Sequence, residues 1–319
     1  MSKWTGAMTT AMELSSAASE EATRAGSPEV DVDHLFLALV LSGGAAGDLL
    51  RSYGVTIDAA RTAIDAEQTD QLASLGISAP DVTPRQLTPA YQTRLDWTPR
   101  AREVLKRTSS PFDGLALLRG VITERSGTVT RLLRRLDVDL EPLLERLFQE
   151  PASPAHRTDS SHAGRRGIVC VTGFIPAPLD DVWAVVNDPA RIPEWDDFTG
   201  TVTPSDRLDT WTARPQKVTA AGEKVPLKHP AEIAQLLADD QTHRVIREVS
   251  WPTRRHPTNQ IVTITLTRQS LGCRIEITSS LRGARGVRRM MHLALTPLQR
   301  LIMRSMLTQQ IASLSRIFR

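Results

Sequence analysis

The chain is poor in the residues that build covalent or metal-bound scaffolds. Only two cysteines occur in 319 residues. They are too few for a disulfide framework and lack metal-ligand spacing, so we expect Cys170 and Cys273 to be small buried side chains. No apolar run approaches the roughly 18 residues of a membrane span, and the first residues lack the basic flank and apolar core of a secretory signal. We therefore expect a soluble cytoplasmic protein.

Acidic residues are missing from the last part of the chain. No aspartate or glutamate follows Glu276, although the formal net charge is only +3. Aromatic residues, which accompany the cations of many nucleic-acid-binding segments, are also missing there until Phe318. We expect a solvated basic helix face with no nucleic-acid partner, and a membrane-bound face is the disfavoured alternative. The arginines of this stretch are Arg282, Arg285, Arg288, Arg289, Arg300, Arg304, Arg316 and Arg319.

Motifs for catalysis and nucleotide binding are lacking as well. Neither a Gly-x-Ser-x-Gly turn nor a Gly-x-x-x-x-Gly-Lys-Ser/Thr loop occurs, and the scattered His229, His243, His256 and His292 indicate no zinc site. The adjacent pairs Asp180-Asp181, Asp196-Asp197 and Asp239-Asp240 are expected to be surface or capping residues, because neighbours point to different sides of a helix or strand. We predict no enzyme activity, metal or cofactor. His292 and Glu194 are the remaining candidates for a cyclase-type acid or base.

One segment occurs twice in the first half of the chain. Residues 49–57 return as residues 132–140, and Trp4-Thr5 returns as Trp97-Thr98. Duplicated helical units form pseudo-symmetric domains that bury a shared seam, where we expect a partner to bind. From the Trp-Thr pair to the repeated segment the distance is 45 positions in the first copy but 35 in the second. About three helical turns are therefore missing from the start of the second copy.

The periodicity of apolar residues divides the chain. A helical period extends over residues 1–150, and the Pro-, Ser- and Gly-rich residues 151–167 indicate a linker. Residues 168–319 combine alternating β-branched strands with short helices and a long helical region from Arg285 to Ile317, in which Pro297 predicts a kink or break. This order indicates a curved sheet wrapped around the last helix. We predict a multi-domain chain, all-α followed by α+β.

Four segments of the first half carry a family resemblance. They are Glu20-Glu21-Ala22 with Gly26, Val32-Asp33-His34 continuing to Leu39, Leu49-Leu50 continuing to Ile57, and Trp97-Thr98-Pro99 continuing to Leu105. Residues 1–150 resemble the N-terminal repeat domain of Clp-family AAA+ unfoldases. The resemblance implies a non-catalytic receptor for substrates, adaptors and certain cyclic peptide antibiotics. Without a phosphate-binding loop, this receptor is separated from its motor.

The resemblance also bears on particular residues. Members that bind phosphorylated arginine use acidic residues of the signature, where this chain has Asp33. A constant shift of 83 residues places Ala116-Leu117 opposite Asp33-His34, so any acidic site is single. His34 is expected to cap or hydrogen-bond within the fold.

A peptide groove is implied where the two Trp-Thr segments and their first helices meet. It maps onto Trp4, Met12, Glu13, Trp97, Arg102, Leu105 and Lys106. Aromatic anchors beside methionine and long cationic side chains suit an apolar peptide. The alternative, that Trp4 and Trp97 only fasten helix N-termini to the core, stays open.

The second half carries a shorter motif. It consists of Val171-Thr172-Gly173-Phe174-Ile175-Pro176-Ala177-Pro178, Val182-Trp183, Asn187-Asp188-Pro189 and Ile192-Pro193-Glu194-Trp195. Together with the last helix, these segments resemble the START-like (SRPBCC) superfamily of polyketide cyclases and lipid carriers. The resemblance implies a helix-grip fold with a cavity for a small apolar ligand. Candidate lining residues are Trp183, Trp195, Trp211, Trp251, Met290, Met291 and Leu298. A filled core without ligand is the open alternative.

The sequence thus predicts a non-catalytic binding protein. It acts as an adaptor for a Clp unfoldase, or as a decoy that binds linear or cyclic peptides and sequesters antibiotics directed at Clp. The alternative is a START-like carrier or cyclase-type enzyme that uses the first domain as a docking arm.

Overall fold

A computed structural model describes residues 2–77, 95–108, 113–149, 168–216, 229–252, 259–282 and 288–319. Within these ranges, the structure does not describe the side chains of residues 2–9, 281–282 and 288–298. The chain forms two compact units, one before and one after the predicted linker, which lies outside the described residues.

The first unit is helical, and each copy of the repeat supplies four helices. The first copy, residues 2–77, contains α1 (Ser2–Arg24), α2 (Val32–Leu41), α3 (Ala45–Ser52) and α4 (Ile57–Ser74). The second copy, residues 95–149, contains α5 (Pro99–Arg107), α6 (Gly114–Ile122), α7 (Thr128–Arg135) and α8 (Leu140–Gln149). Two short strands, β1 (Glu29–Val30) and β2 (Asp96–Trp97), pair in parallel and connect the copies.

Helix α2 lies at the centre of the helical unit. All ten of its residues are buried, as expected for a helix that is apolar on every side. Phe36, Leu50 and Leu133 are among the fully buried side chains of the surrounding core.

The relation between the copies differs from the constant shift that the sequence suggested. Helices α3 and α7 begin 83 positions apart, but the N-caps Asp31 and Asp113 are 82 positions apart. The second copy has one more residue between the N-cap of α6 and the start of α7. Asp33 and His34 therefore correspond to Leu115 and Ala116, so the expected correspondence to Ala116-Leu117 is wrong by one position.

The second unit contains a seven-stranded antiparallel sheet. Its strands are β3 (Ile168–Ile175), β4 (Thr199–Pro204), β5 (Thr210–Pro215), β6 (Ala231–Asp239), β7 (Arg244–Ser250), β8 (Asn259–Gln269) and β9 (Gly272–Arg282), in the order β3-β9-β8-β7-β6-β5-β4. Helices α9 (Leu179–Asn187) and α10 (Ile192–Trp195) follow β3, and the long helix α11 (Arg288–Ile317) ends the unit.

Two elements of this unit differ from expectation. The sequence of strand β6, AEIAQLLAD, does not indicate a strand, because it consists largely of good helix formers. Helix α11 is a single element of 30 residues that continues through Pro297, so the predicted break is wrong and the predicted kink stays a prediction. Proline removes one backbone hydrogen bond, and the helix continues despite that loss.

Helix α11 packs against one face of the sheet. Leu307, Ile311 and Leu314 are buried in a core with Val171 and Ile277. A Cβ atom at Gly173 would lie 2.5 Å from Cγ2 of Ile311, so the absence of a side chain on β3 allows this close approach. No single helix among the described residues is long and apolar enough to cross a membrane, and α2 with α3 meets that test only as a pair bent by 88°.

Candidate binding site in the helical unit

The two copies meet at the carboxylate of Asp31. Pairing of Val30 with Trp97 brings the N-terminus of α2 beside that of α5. Asp31 caps α2 by accepting from the backbone N–H of Val32 at 2.8 Å. Its Oδ1 also accepts from the Thr98 hydroxyl and from Arg100 Nε, both at 2.7 Å. One carboxylate thus caps a helix of the first copy and binds two residues of the second.

The electrostatics of Asp31 follow from these contacts. Burial raises the pKa of Asp31, but the hydrogen bonds from Arg100 and Thr98 outweigh burial and hold it below the ordinary value. The pKa of Arg100 is raised, chiefly by its hydrogen bond to Asp31. Both groups are therefore ionised at neutral pH.

A second junction lies between α4 and α7. Glu67 accepts from Arg131 Nε at 2.5 Å and from Arg135 Nη2 at 3.3 Å. Arg135 also binds Asp70 at 2.5 Å. The hydrogen bond from Arg131 is the main reason that the pKa of Glu67 is lowered. At both junctions the first copy supplies the carboxylates and the second copy supplies the arginines.

These junctions border a cleft of about 370 Å³ between the copies. Asp31, Asp33, Glu67, Arg100 and Arg131 line it. Since Asp31 and Glu67 are bound by resident arginines, a guanidinium ligand would have to displace them to reach these carboxylates.

His34 lies beside this cleft in the role that the sequence suggested. Its Nδ1 accepts from the backbone N–H of Asp31 at 3.0 Å, which closes a capping box on α2. The expectation that His34 caps within the fold is confirmed. Asp33 is buried and accepts from the backbone N–H of His34 at 2.8 Å.

The residues of the predicted peptide groove are distributed over α1, β2 and α5. Met12 is 57% exposed on α1, and Glu13 is half-buried. Trp97 is half-buried and packs against the core, as does Leu105. Arg102 and Lys106 are exposed on α5, whereas the side chain of Trp4 lies outside the described residues. The groove stays a prediction.

The predicted cavity residues of the second unit have different surroundings. Trp183 is buried, donates from Nε1 to Asp240 Oδ1 at 2.8 Å and meets the His243 ring edge-on at 5.5 Å. Trp195 is buried, and Trp211 and Trp251 are half-buried. Met290, Met291 and Leu298 lie on α11, but their side chains are outside the described residues, as is that of His292. The apolar cavity stays a prediction.

The pair Asp196-Asp197 corrects an expectation, because it is not simply solvated. Asp197 Oδ2 accepts from Ser313 Oγ at 3.0 Å and from Arg316 at 3.3 Å, so it connects the segment after α10 to α11. Burial raises the pKa of Asp196, which accepts from Thr199 Oγ1 at 2.6 Å. Adjacent carboxylates can both be engaged here because the chain leaves helical geometry after Trp195.

Glu194, the other predicted acid or base, is engaged in an ion pair. Glu194 is bound by Arg191 through Nε at 2.9 Å and Nη2 at 2.7 Å, and these hydrogen bonds hold its pKa below the usual range. A carboxyl with a lowered pKa is ionised at neutral pH and poorly suited as a general acid. In the part of the chain that the structure describes, no group of three or more His, Cys, Asp or Glu residues is placed to hold a metal ion.

Sequence reasoning missed Arg247, a buried arginine on β7. It donates from Nη2 to the carbonyl oxygens of Val186 at 2.6 Å and Asn187 at 3.1 Å, and from Nε to Gln235 at 3.2 Å. Burial lowers its pKa to about 10, and the charge of Asp188 opposes that effect. Arg247 therefore satisfies the last carbonyls of α9. In the sequence, the only signal for this buried residue is that an arginine occurs within a strand pattern.

Comparison with known proteins identifies the helical unit in part. The model of the Clp repeat (R) N-terminal domain matches residues 8–110. Residues 8–110 contain a Clp repeat domain. The match covers most of the first copy and the start of the second. Clp repeat domains are protein-interaction modules, which is consistent with a Clp unfoldase or one of its substrates as a partner.

Comparisons with solved structures and with curated proteins give less information about the chain. A protein from Chromobacterium violaceum is 16% identical, with a TM-score of 0.34, over 48% of this chain and 98% of its own. A protein from Thermus thermophilus is 18% identical, with a TM-score of 0.33, over 47% of this chain and 96% of its own. These likenesses are too weak to assign a fold family. No curated protein matches the chain.

Proposed function

We propose that the chain is a non-catalytic binding protein whose Clp repeat domain recognises a Clp unfoldase or the peptides that such an unfoldase binds. The Clp repeat domain at residues 8–110 carries this proposal. The sequence contains no Gly-x-x-x-x-Gly-Lys-Ser/Thr loop that would hold nucleotide phosphates. A receptor without a motor either delivers cargo as an adaptor or competes for ligands as a decoy.

The closed junctions between the copies support a preformed binding module. Ion pairs at Asp31 and Glu67 hold the copies together, and the first of them is made by Arg100 on α5, the helix that also carries the predicted groove residues Arg102, Leu105 and Lys106. Arg102 and Lys106 are exposed on α5, the helix that follows the half-buried Trp97, and Arg102 lies 3.9 Å from Asp96. An aromatic side chain next to flexible cations gives a surface suited to a peptide with an apolar face and free carbonyl groups.

The adaptor form is tested with the immobilised full chain and a purified Clp unfoldase hexamer. We expect binding that Trp97→Ala or the double change Arg102→Glu and Lys106→Glu weakens at least ten-fold. Asp65→Asn, an exposed change on α4, is the matched control. No retention of the hexamer at low salt would overturn the adaptor form.

The decoy form is tested by calorimetric titration of the full chain with a cyclic peptide antibiotic that acts on Clp unfoldases. We expect a saturable isotherm that Trp97→Ala abolishes. A dissociation constant weaker than about 100 μM, or about −5.5 kcal/mol, would remove this form.

A carrier function for the second unit is the alternative, and the contact between sheet and α11 favours it. Val262, Ile264, Ile275 and Ile277 lie on the sheet face that meets α11, and we propose that this face belongs to a START-like helix grip holding a small apolar molecule. Native mass spectrometry of the full chain is the test. A co-purifying apolar molecule supports the carrier, and an empty protein opposes it.

A further inference from the structure

Strand register sorts the side chains on the α11 side of the sheet into rows. In one row Val245, Ile264 and Ile277 are successive cross-strand partners on β7, β8 and β9. All three are at most 2% exposed and belong to the core that includes Leu307 and Ile311 of α11. This row therefore has the close apolar packing of an ordinary protein core.

The next row on the same face carries polar side chains. Gln235 pairs with Arg247, Arg247 with Val262, and Val262 with Ser279. Arg247 is 4% exposed and Ser279 is 2% exposed, and Ser279 Oγ accepts from Gln260 Nε2 at 2.8 Å. Because neighbouring strands lie about 4.8 Å apart, Arg247 and Ser279 are separated by about 10 Å. Buried polar groups thus cross the sheet directly beside the packed apolar row.

Arg247 is a buried cation that no described carboxylate pairs with. Its Nε and Nη2 donate to three uncharged oxygens, those of the Gln235 side chain and of the Val186 and Asn187 backbones. The charge of Asp188 acts on it only from a distance. Burial lowers the pKa of Arg247 to about 10, so the guanidinium is still ionised at neutral pH. Buried charges are ordinarily paired, because removing an ion from water is costly, and a bound anion would supply the charge that is lacking here.

The surface beside Arg247 is partly open. Its second terminal nitrogen, Nη1, makes no hydrogen bond to a described residue and keeps some accessible surface. Val249, two residues further along β7, and Val262, opposite on β8, are half-buried. Val245, on the other side of Arg247, is fully buried. Arg247 therefore lies at the border between the packed core and a partly open apolar surface.

We propose that Arg247 binds the carboxylate of an apolar acid whose hydrocarbon part lies on Val249 and Val262. The carboxylate accepts from Nη1 and balances the buried charge, and such charge-assisted hydrogen bonds are stronger than those to neutral groups. The apolar part removes the two valines from water. This inference rests on the proposed carrier function of the second unit and narrows its ligand from any small apolar molecule to an anionic one.

The contacts of Arg247 within the protein prepare it for this role. Gln235 on β6 and the carbonyl oxygens at the end of α9 fix Nε and Nη2. The direction of Nη1 is therefore set before a ligand arrives, as recognition sites require. An apolar side chain at this position would fill the core without burying a charge, but it could not bind an acid.

The test uses the full chain and a dansyl-labelled undecanoic acid, with the primary amide of the same molecule as the uncharged comparison. At about pH 7.5 the acid is ionised, so the two probes differ mainly in the charge at one end. Fluorescence titration measures both dissociation constants. We expect saturable binding of the acid with a dissociation constant of about 50 μM or below, and at least ten-fold weaker binding of the amide.

Substitutions at Arg247 show which residue causes the preference. Arg247→Gln keeps a donor for the carbonyl oxygens of α9 but has no charge, so the acid and the amide are expected to bind within about two-fold of each other. Arg247→Lys keeps the charge and should retain a preference for the acid of at least about three-fold. Because both probes are measured on the same variant, a partial loss of stability affects them equally. Thr263→Val, which changes the opposite face of β8, is the matched control and should leave the ratio unchanged.

The outcomes distinguish the anion site from the carrier function. Equal binding of acid and amide by the unmodified chain would overturn the anion site and leave the carrier function standing. A preference for the acid that persists in Arg247→Gln would overturn the role of Arg247. No saturable binding of either probe by about 500 μM would also overturn the anion site, and an empty protein in native mass spectrometry would in addition contradict the carrier function.

Discussion

The hydroxyl of Thr98 donates a 2.7 Å hydrogen bond to Oδ1 of Asp31, so the N-cap residue of α5 holds the N-cap residue of α2. These two residues belong to different copies of the repeat. The two residues that begin a helix in each copy therefore also fix the copies relative to each other. Arg100 adds a charge-assisted pair to the same carboxylate.

Removing this carboxylate is expected to destabilise the helical unit locally. Asp31→Ala deletes the cap of α2 and the partner of Arg100, for a loss of about 1 to 3 kcal/mol. Native-state hydrogen exchange is the measurement, and amides of residues 30–34 and 98–102 should exchange faster together. Glu103→Ala, which deletes an exposed pair with Arg107, should change protection little. Unchanged exchange at 98–102 in Asp31→Ala would show that the two caps are not coupled.

The carboxylates at the two junctions predict an acid transition of the helical unit. The folded pKa values of Asp31 and Glu67 lie below their ordinary values near 4, so their contribution is complete above about pH 5. It is lost as the pH falls through the lowered folded values. A pH titration of hydrogen exchange at α2 and α7 should show loosening below about pH 4. Protection that stays constant down to pH 2 would contradict these assignments.

Close packing at Gly173 predicts a compensated pair of substitutions in the second unit. Gly173→Ala places Cβ against Ile311 and should cost about 1 to 3 kcal/mol. Ile311→Ala removes the opposing atoms, so the double variant should be less destabilised than the sum of the two single variants. Chemical denaturation followed by tryptophan fluorescence measures this coupling. Strict additivity would mean that Ile311 is not what limits the space at Gly173.

Arg247 on β7 is expected to stabilise the second unit, because it donates to the last carbonyl oxygens of α9. Arg247→Met leaves the carbonyl oxygens of Val186 and Asn187 without their donor and should cost about 2 to 4 kcal/mol. Arg247→Lys should recover part of this loss, because one ammonium cannot reproduce the three donor contacts. Arg268→Met is the control, since that side chain is 74% exposed. Equal melting temperatures for the Arg247 and Arg268 variants would contradict the capping role.

Much of the fold could be predicted from local pattern. Gly44 and Tyr53 flank the short amphipathic run of α3, and β3 coincides with a β-branched run. Strand β6 could not be predicted, since its Ala, Leu, Glu and Gln residues favour a helix and only pairing with β5 and β7 makes it extended.

The candidate site was less predictable than the fold, because its residues are distant in sequence. The position of Asp31 before an apolar run indicates an N-cap. Its partners Thr98 and Arg100, however, lie 67 and 69 positions away in the sequence. Nothing local to Glu67 indicates that it faces Arg131.

Hydrogen exchange of the full chain with and without a Clp unfoldase hexamer tests the central proposal most directly. If the Clp repeat domain is the recognition module, exchange within residues 8–110 slows on addition of the hexamer, and Trp97→Ala removes the effect. Unchanged exchange throughout residues 8–110, or protection confined to residues 168–319, would contradict it.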